Sequence, residues 1–393
     1  MLTAACAASV LIWFWLFLGR SRFWRASERL PGLAEEGDRH AWPAVATITP
    51  ARNEAETIGA TMAAVLASDY RGPLSVTVVD DGSRDGTAAL ARQAGQGSTR
   101  PLTVVEGAPL PRGWTGKLWA LEQGVRNAAA ASEPPRYFLF VDADIELAPD
   151  TLSRLVTLAE KRGLALASLM ARLDSRGIWG RLLVPAFVFF FQKLYPFPAS
   201  NRPESDVAAA AGGCVLIRRE VLEALGGLSA LRGALIDDCV LADLVKRGPA
   251  TEEQRRPIWL GLADREAVSL RDNRSLASLW AMVTRTAFVQ LRRSWFLLGG
   301  CIAAMALTYL AGPAALLSLP WHNNWPAGIL GGFAWALMAI AYSPTVRLYG
   351  GGVARSLTLP LVALIYTAMT VDSARRDLLG RGGAWKGRTY LGG

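Results

Sequence analysis

Three hydrophobic patterns follow one another along the chain. Residues 2–18 (LTAACAASVLIWFWLFL) are apolar throughout, and Arg20, Arg22 and Arg25 come directly after. Such a run has no polar face to turn toward water. As a helix it reaches roughly 26 Å, about the thickness of a hydrocarbon core. A cleaved secretory leader carries its positive charge before the apolar run. Here the order is reversed, which predicts a retained anchor over residues 1–26 with the following chain on the cytoplasmic side. Residues 27–43 are polar, with Pro, Gly and mixed charge, and read as a linker.

The second pattern occupies residues 44–292. Short β-branched apolar runs at 45–49, 74–79, 102–105, 137–141 and 164–169 alternate with longer Ala- and Leu-rich stretches at 54–67, 86–94, 117–131 and 149–161. The short runs have the length of buried strands and the long ones that of helices. Their alternation predicts an α/β fold with a mostly parallel sheet and right-handed crossovers. Ligands of such sheets gather at the carboxyl ends of the strands, so the residues after each run come first as candidates for chemistry. Within this region 182–198 is aromatic and interrupted by Pro, and is expected to lie in a lipid interface or to form a core helix.

The third pattern, residues 293–372, is apolar again. Spans are expected at about 295–319 and 325–342, joined by a turn at 321–324. Arg292 and Arg293 precede the pair and Arg347 follows it, so both ends face the same side. The run 357–371 could span or re-enter. Spanning would carry the basic tail 373–393, with Arg375, Arg376, Arg381, Lys386 and Arg388, to the side that charge disfavours, so re-entry is the preferred expectation.

Composition narrows the partners. Lys and Arg number 42 against 33 Asp and Glu, a net charge of +9, and mean hydropathy is +0.23. The basic residues flank apolar runs instead of forming a block, which favours an anionic membrane surface over nucleic acid. Four cysteines (Cys6, Cys214, Cys239, Cys301) lie far apart without a C-x-x-C pair, so neither a disulfide framework nor a zinc site is expected. The two histidines, His40 and His322, sit in the linker and in a loop. Acid–base work therefore falls to carboxylates.

Carboxylates stand at the strand ends. After the first run comes PARNE (Pro50, Arg52, Asn53, Glu54), after the second DDGSRDGT beginning Asp80-Asp81, and after the fourth Asp142-Ala-Asp144. On an extended chain alternate side chains point the same way, so Asp142 and Asp144 could face one cation. Hard oxygen donors suit Mg²⁺ or Mn²⁺, whose shells are usually completed by substrate phosphates. Further on, Gly212-Gly213 leads into an apolar strand and allows close approach of backbone to a ligand. Asp237 and Asp238 then interrupt an apolar stretch. Buried acids of this kind should hold their protons more tightly and suit a general base, or they cap the helix that runs to Lys246.

In this order PARNE, DDGSRDGT, DADI, GGCVLIRR and IDDCVLA resemble the family 2 glycosyltransferases of the GT-A fold over roughly residues 44–250. The runs PRGWTGK (ending at Lys117) and WKGRTY (beginning at Trp385) are most similar to the hopanoid-biosynthesis-associated members. The resemblance implies a membrane enzyme that moves a sugar from a nucleotide-sugar donor, of UDP type, to a lipid acceptor with inversion. Asp80, Asp81 and Glu54 would hold base and ribose, Asp144 the metal, Asp142 the ribose or metal, and Asp238, with Asp237 beside it, would deprotonate the acceptor. Lys117, Trp385, Lys386 and Arg388 would add cations or a cover on the diphosphate or acceptor side, near Gly212 and Gly213. A polyprenyl phosphate is the alternative acceptor to a hopanoid.

One departure bears on the product. Processive synthases carry a Q/R-x-x-R-W motif after the base, whereas residues 282–290 read MVTRTAFVQ, with no Trp after Arg285. That argues against polymer synthesis. A sugar nucleotidyltransferase would place a Gly-rich loop where PARNE stands, and a non-catalytic scaffold would have no need of the acids.

Overall fold

The computed structural model describes residues 1–33, 42–234, 236–248 and 256–380, together with the backbone of 384–385 and 388–389. Residues 34–41 of the expected linker, with His40, lie outside the described residues, as do Lys386 and the side chains of Trp385 and Arg388.

Seven strands form the main sheet. They are β1 (Val45–Ala51), β2 (Leu74–Asp80), β3 (Leu102–Glu106), β4 (Tyr137–Val141), β6 (Leu166–Met170), β7 (Cys214–Arg218) and β8 (Ile258–Leu262), in the order β3-β2-β1-β4-β7-β6-β8. All pairings are parallel except those of β7, which runs antiparallel to β4 and β6. β1 and β4 are buried along their whole length, as strands covered on both faces must be. A side ribbon pairs β5 (Ile145–Leu147) with β9 (Ala267–Ser269), and β10 (Ala384–Trp385) pairs with β11 (Arg388–Thr389). The helices Ile58–Leu66, Thr87–Ala94, Gly116–Ala129 and Thr151–Lys161 fall within the four stretches expected to be helical, or one residue from them. The first starts late because residues 54–57 form a turn that Thr57 and Ile58 close on the Glu54 carbonyl.

Among the described residues five helical segments are long and apolar enough to cross a membrane: Leu2–Gly19, Gly177–Ser200, Trp295–Leu317, Trp325–Leu348 and Val353–Leu378. Polar contacts set their relative direction. Thr3 and Asn324 hydrogen-bond at one end of the bundle, while Tyr349 meets Leu173 and Arg172 at the end nearest the sheet. Ser9 and the Trp13 indole both donate to the Thr308 carbonyl (3.2 and 2.9 Å), inside a π-helical turn at Ala306–Leu310. A wider turn frees a carbonyl, and in an apolar bundle that carbonyl needs a donor.

Two segments depart from simple spans. Pro185 does not break the helix Gly177–Leu194, although its sequence suggested an interruption. The helix is packed on several sides, and Tyr366 donates its hydroxyl to the Leu183 carbonyl (2.9 Å). Tertiary contacts here outweigh the local preference of proline. β6 before this segment and β7 after it pair in one sheet, so both of its ends lie on the sheet side and it cannot carry the chain across. Val353–Leu378 starts partway along its neighbour instead of at the bundle's far end. Leu357 lies beside Trp335, midway along Trp325–Leu348 (Nε1 to O, 3.1 Å). The far end returns to the sheet side, where Asp372 binds Trp280 and Asp377 binds Arg293.

The helices Ala311–Leu317 and Trp325–Leu348 cross at glycine. A Cβ on Gly331 would sit 2.4 Å from the Gly312 carbonyl oxygen, whereas one on Gly299 meets nothing within 4 Å. Gly331→Ala should therefore destabilise the bundle by about 1–3 kcal/mol, the range for overpacking. Gly299→Ala should be near neutral. Apparent melting temperatures in detergent compare the two, and equal shifts would remove the close crossing from the account.

Candidate active site

β1 and β2 end level, with Ala51 opposite Asp80, and the loops that leave them dock on each other. The Asn53 amide donates to Ser83 Oγ (3.0 Å) and its side-chain oxygen accepts from the Arg84 amide (3.0 Å). The Glu54 amide donates to Thr87 Oγ1 (2.9 Å) and that of Ala55 to the Asp85 carboxylate (3.0 Å). Arg52 donates to the Asp81 carbonyl and lies 3.5 Å from its carboxylate. Asp80 accepts from the Ser83 amide (3.2 Å) and hydroxyl. Arg52 and Asn53 thus brace the two loops, while Asp80, Asp81 and Glu54 bring carboxylates to the strand ends. Pro50 is an interior residue of β1, one before its end.

At the end of β4 the Asp142 amide donates to the Gly213 carbonyl (3.1 Å), joining this corner to the start of β7. Residues 142–145 form a turn closed by the Ile145 amide on the Asp142 carbonyl (3.0 Å). The extended geometry expected for Asp142 and Asp144 is therefore incorrect. The chain has to turn here because Ile145 opens β5 and pairs with Ser269 of β9. The two carboxylates nonetheless sense each other. Burial raises the pKa of Asp142, the Lys117 charge opposes this, and the Asp144 charge adds to it. Asp144 is buried; it accepts from Ser269 Oγ (2.8 Å) and lies 3.5 Å from the Arg271 guanidinium.

Lys117 stands in the first turn of Gly116–Ala129, a helix capped by Thr115. Its ammonium is 2.8 Å from Asp142. Although burial disfavours its charge, Asp142, Asp237 and Asp238 together raise its pKa, which keeps it protonated. On its other side Gly212 makes room: a Cβ there would lie 3.2 Å from Lys117 Nζ and 3.3 Å from Asp238 Oδ2. The Gly212 amide donates to that same carboxylate oxygen (2.8 Å), and the Cys239 amide to the other (2.8 Å).

Asp237 and Asp238 are the first two residues of the helix Asp237–Arg247, with Ile236 at the cap position. Neither acid caps the helix as expected; both stand inside its first turn, and no side chain accepts at the cap. Burial and the adjacent Asp237 charge push the pKa of Asp238 up to about 6, against Lys117 and the two amides. The helix continues to Lys246, a buried ammonium donating to the carbonyls of Ser200 and Val207 (2.8 and 2.7 Å). That contact ties the base helix to the segment leading into Gly212.

Arg271 and Ser269 had no sequence signal of their own, and Arg285 was marked only as the arginine of the incomplete Q/R-x-x-R-W match. Arg271 reaches both Glu54 (3.7 Å) and Asp144 (3.5 Å), and Ser269 holds Asp144. Ser269 ends β9 and Arg271 lies just after it, at the start of a polar stretch that reads as a solvated turn. Arg285 faces the same acids: burial and Arg271 lower its pKa, while Asp142, Asp237 and Asp238 act in the opposite direction. Among the described residues no group of three or more His, Cys, Asp or Glu could hold a metal; the carboxylates available at the β4 corner are Asp142 and Asp144. In the tail, Trp385 pairs with Arg388 through the backbone.

Residues 47–226 match the family described as Glycosyl transferase family 2. An N-acetylglucosaminyltransferase of Mesorhizobium japonicum is 29% identical over 187 residues, 47% of this chain and 41% of that protein. A 4,4'-diaponeurosporenoate glycosyltransferase of Staphylococcus aureus is 34% identical over 122 residues, 30% of this chain and 29% of that protein. The chain thus spans well under half the length of these curated relatives. A mannosyltransferase of Pyrobaculum calidifontis, solved with GDP-Man and Mn²⁺, shares the fold at 22% identity and a TM-score of 0.54, over 96% of this chain and 99% of that one.

The raised pKa of Asp238 has a consequence for stability. A carboxylate that binds its proton more tightly when folded stabilises the fold below its unfolded pKa, near 3.9, and loses this as pH rises through about 6. Above pH 6 the ionised group is a burden. Asp238→Asn keeps the acceptor oxygen and removes the charge, so its melting temperature should exceed that of wild type at pH 7.5. The gain should be on the order of 1 kcal/mol, since the group is only half-buried. It should vanish at pH 4.5, and a variant less stable at both pH values would contradict this account.

Proposed function

We propose that this chain, whose residues 47–226 form a glycosyl transferase family 2 domain, transfers a sugar from a nucleotide-sugar donor to a lipid acceptor at the membrane surface, with inversion. The observation that carries this reading is the placement of Lys117 between the Asp142–Asp144 corner and the Asp237–Asp238 pair. One side of that arrangement suits a diphosphate and the other a hydroxyl to be deprotonated.

Glu54, Asp80 and Asp81 would receive the base and ribose, with UDP the first nucleotide to try. Asp142 and Asp144 fit a divalent cation. They are two hard carboxylates in one turn, and they leave most of a coordination shell to phosphate oxygens and water, as Mg²⁺ or Mn²⁺ sites do. Such an ion supplies positive charge against the diphosphate. Lys117, Arg271 and Arg285 add fixed positive charge where the leaving group gathers negative charge. Asp238 is ionised at neutral pH, yet basic enough to take the acceptor proton as the hydroxyl attacks the anomeric carbon from the side opposite the diphosphate.

A lipid acceptor is supported by the five apolar helices packed against the domain and by the relative named for diaponeurosporenoate. The PRGWTGK run and the WKGRTY tail favour a polycyclic triterpenoid of the hopanoid type, and a polyprenyl phosphate is the second reading. Arg20, Arg22 and Arg25 after the first helix favour a catalytic face on the cytoplasmic side of a bacterial inner membrane.

The test is nucleotide release by detergent-purified protein from UDP- and GDP-sugars, with and without Mg²⁺ or Mn²⁺ and hopanoid lipid. One donor should be turned over in a metal-dependent manner and stimulated by the lipid. Asp144→Ala should lose activity, and Asp238→Asn should fall by about 10²–10⁴-fold while still binding nucleotide. The wild-type rate should decline about tenfold per pH unit below pH 6 and level off above it. Well-folded protein with neither turnover nor nucleotide binding would overturn the enzyme reading; turnover with polyprenyl phosphate alone would replace the acceptor.

A further inference from the structure

A cavity of about 510 Å³ opens where the first apolar helix ends. It is lined by Leu18, Gly19, Ser21, Arg22, Pro198 and Arg202, with no acidic side chain among them. It draws on the sheet-side end of Leu2–Gly19 and on the turn that follows Gly177–Leu194, and it shares no residue with the carboxylate site.

Its two arginines differ in how they are held. Arg202 is fixed, donating to the Pro198 carbonyl (3.2 Å) and to Ser21 Oγ (2.7 Å). Arg22 is exposed, and among the described residues no hydrogen bond or ion pair engages its guanidinium. The backbone that presents it is strained: Ser21, Arg22 and Ala26 all have φ near +50°, a region non-glycine residues seldom occupy unless surrounding structure enforces it. The acid on the adjoining strap, Glu28, is taken up by Asn201 (2.8 Å).

The surroundings indicate a lipid. Leu18, Trp15 and Leu11 are exposed on the helix leading to the cavity. Trp24 stacks on Phe17 at 4.2 Å, and Arg20 and Arg25 lie over the rings of Trp15 and Trp24. Aromatic and basic residues of this kind mark the headgroup level of a bilayer. A ligand here would place acyl chains along the exposed leucines and a phosphate between two guanidinium groups, which match phosphate oxygens in a forked geometry.

We propose that this cavity binds the phosphate of an anionic membrane phospholipid through Arg22 and Arg202. The proposal rests on Leu2–Gly19 lying in the membrane and is independent of the transferase chemistry. Phosphatidylglycerol, phosphatidylcholine and inorganic phosphate serve as probes, titrated onto the full chain in detergent and read by native mass spectrometry. Wild type should retain one phosphatidylglycerol, at least tenfold more tightly than phosphatidylcholine. A basic residue near an anionic lipid contributes about fivefold in affinity. Arg22→Ala should therefore weaken binding about fivefold, and Arg22→Ala with Arg202→Ala about 25-fold. Arg347→Ala, outside the cavity, should change nothing. Because no group among the described residues engages the Arg22 guanidinium, its single variant tests the site without loosening the fold. Unchanged phosphatidylglycerol affinity in Arg22→Ala and the double variant would overturn the proposal. Displacement of the lipid by equimolar inorganic phosphate would reassign the cavity to a soluble anion.

Discussion

Four carboxylates converge on one corner of this molecule, and the Lys117 ammonium among them, with Arg271 and Arg285 at the margin, makes that convergence tolerable. Asp142 touches Lys117, and Asp144, Asp237 and Asp238 surround the pair. Without a cation among them, like charges in a partly dry site would repel one another and draw protons. The fold brings Lys117 there by starting a helix one residue before it, with Thr115 as cap. Gly212 leaves the space between Lys117 and Asp238 empty of side chain. Each neighbouring feature serves the same charge balance: the Gly212 and Cys239 amides on Asp238, Ser269 and Arg271 on Asp144, and Arg52 on Asp81.

The parts legible in the sequence are those governed by local pattern. Strands β1 to β4 could be placed because buried parallel strands need unbroken β-branched runs, and the acids at their ends stood out because charge directly after such a run is unusual. Contacts made across long stretches of chain were not legible. Arg271 finds Asp144 only because β9 pairs with β5, and nothing in the polar loop around it announces that pairing. The turn at Asp142–Asp144 was misread as extended for the same reason, since the partner that forces it lies far downstream. Pro185 illustrates a different limit: the local signal was strong, and packing on several sides overrode it.

Length and apolarity alone also mislead about the membrane. Gly177–Ser200 qualifies as a span on both counts, yet β6 and β7 on either side of it are hydrogen-bonded neighbours. A segment flanked by paired strands must return to the side from which it came. The sheet therefore dictates the topology of the bundle, and the bundle is built onto the domain as an integral part.

That construction also bears on how the charged groups of the corner are held. Gly177–Leu194 ends at Tyr195, whose hydroxyl accepts from Gln290 (2.9 Å) on the short helix between Arg285 and the first residue of Trp295–Leu317. Ser373 accepts from the Phe288 amide (3.0 Å) and donates to the Thr284 carbonyl (2.6 Å), fastening this stretch to the last apolar helix. The apolar helices thus hold Arg285 against the acids, and Lys246 holds the helix Asp237–Arg247 to the turn that follows Gly177–Leu194. The charged groups of the corner thus sit at the sheet-side end of an apolar bundle and are positioned by helices of that bundle, so the bundle and the carboxylate site are one construction.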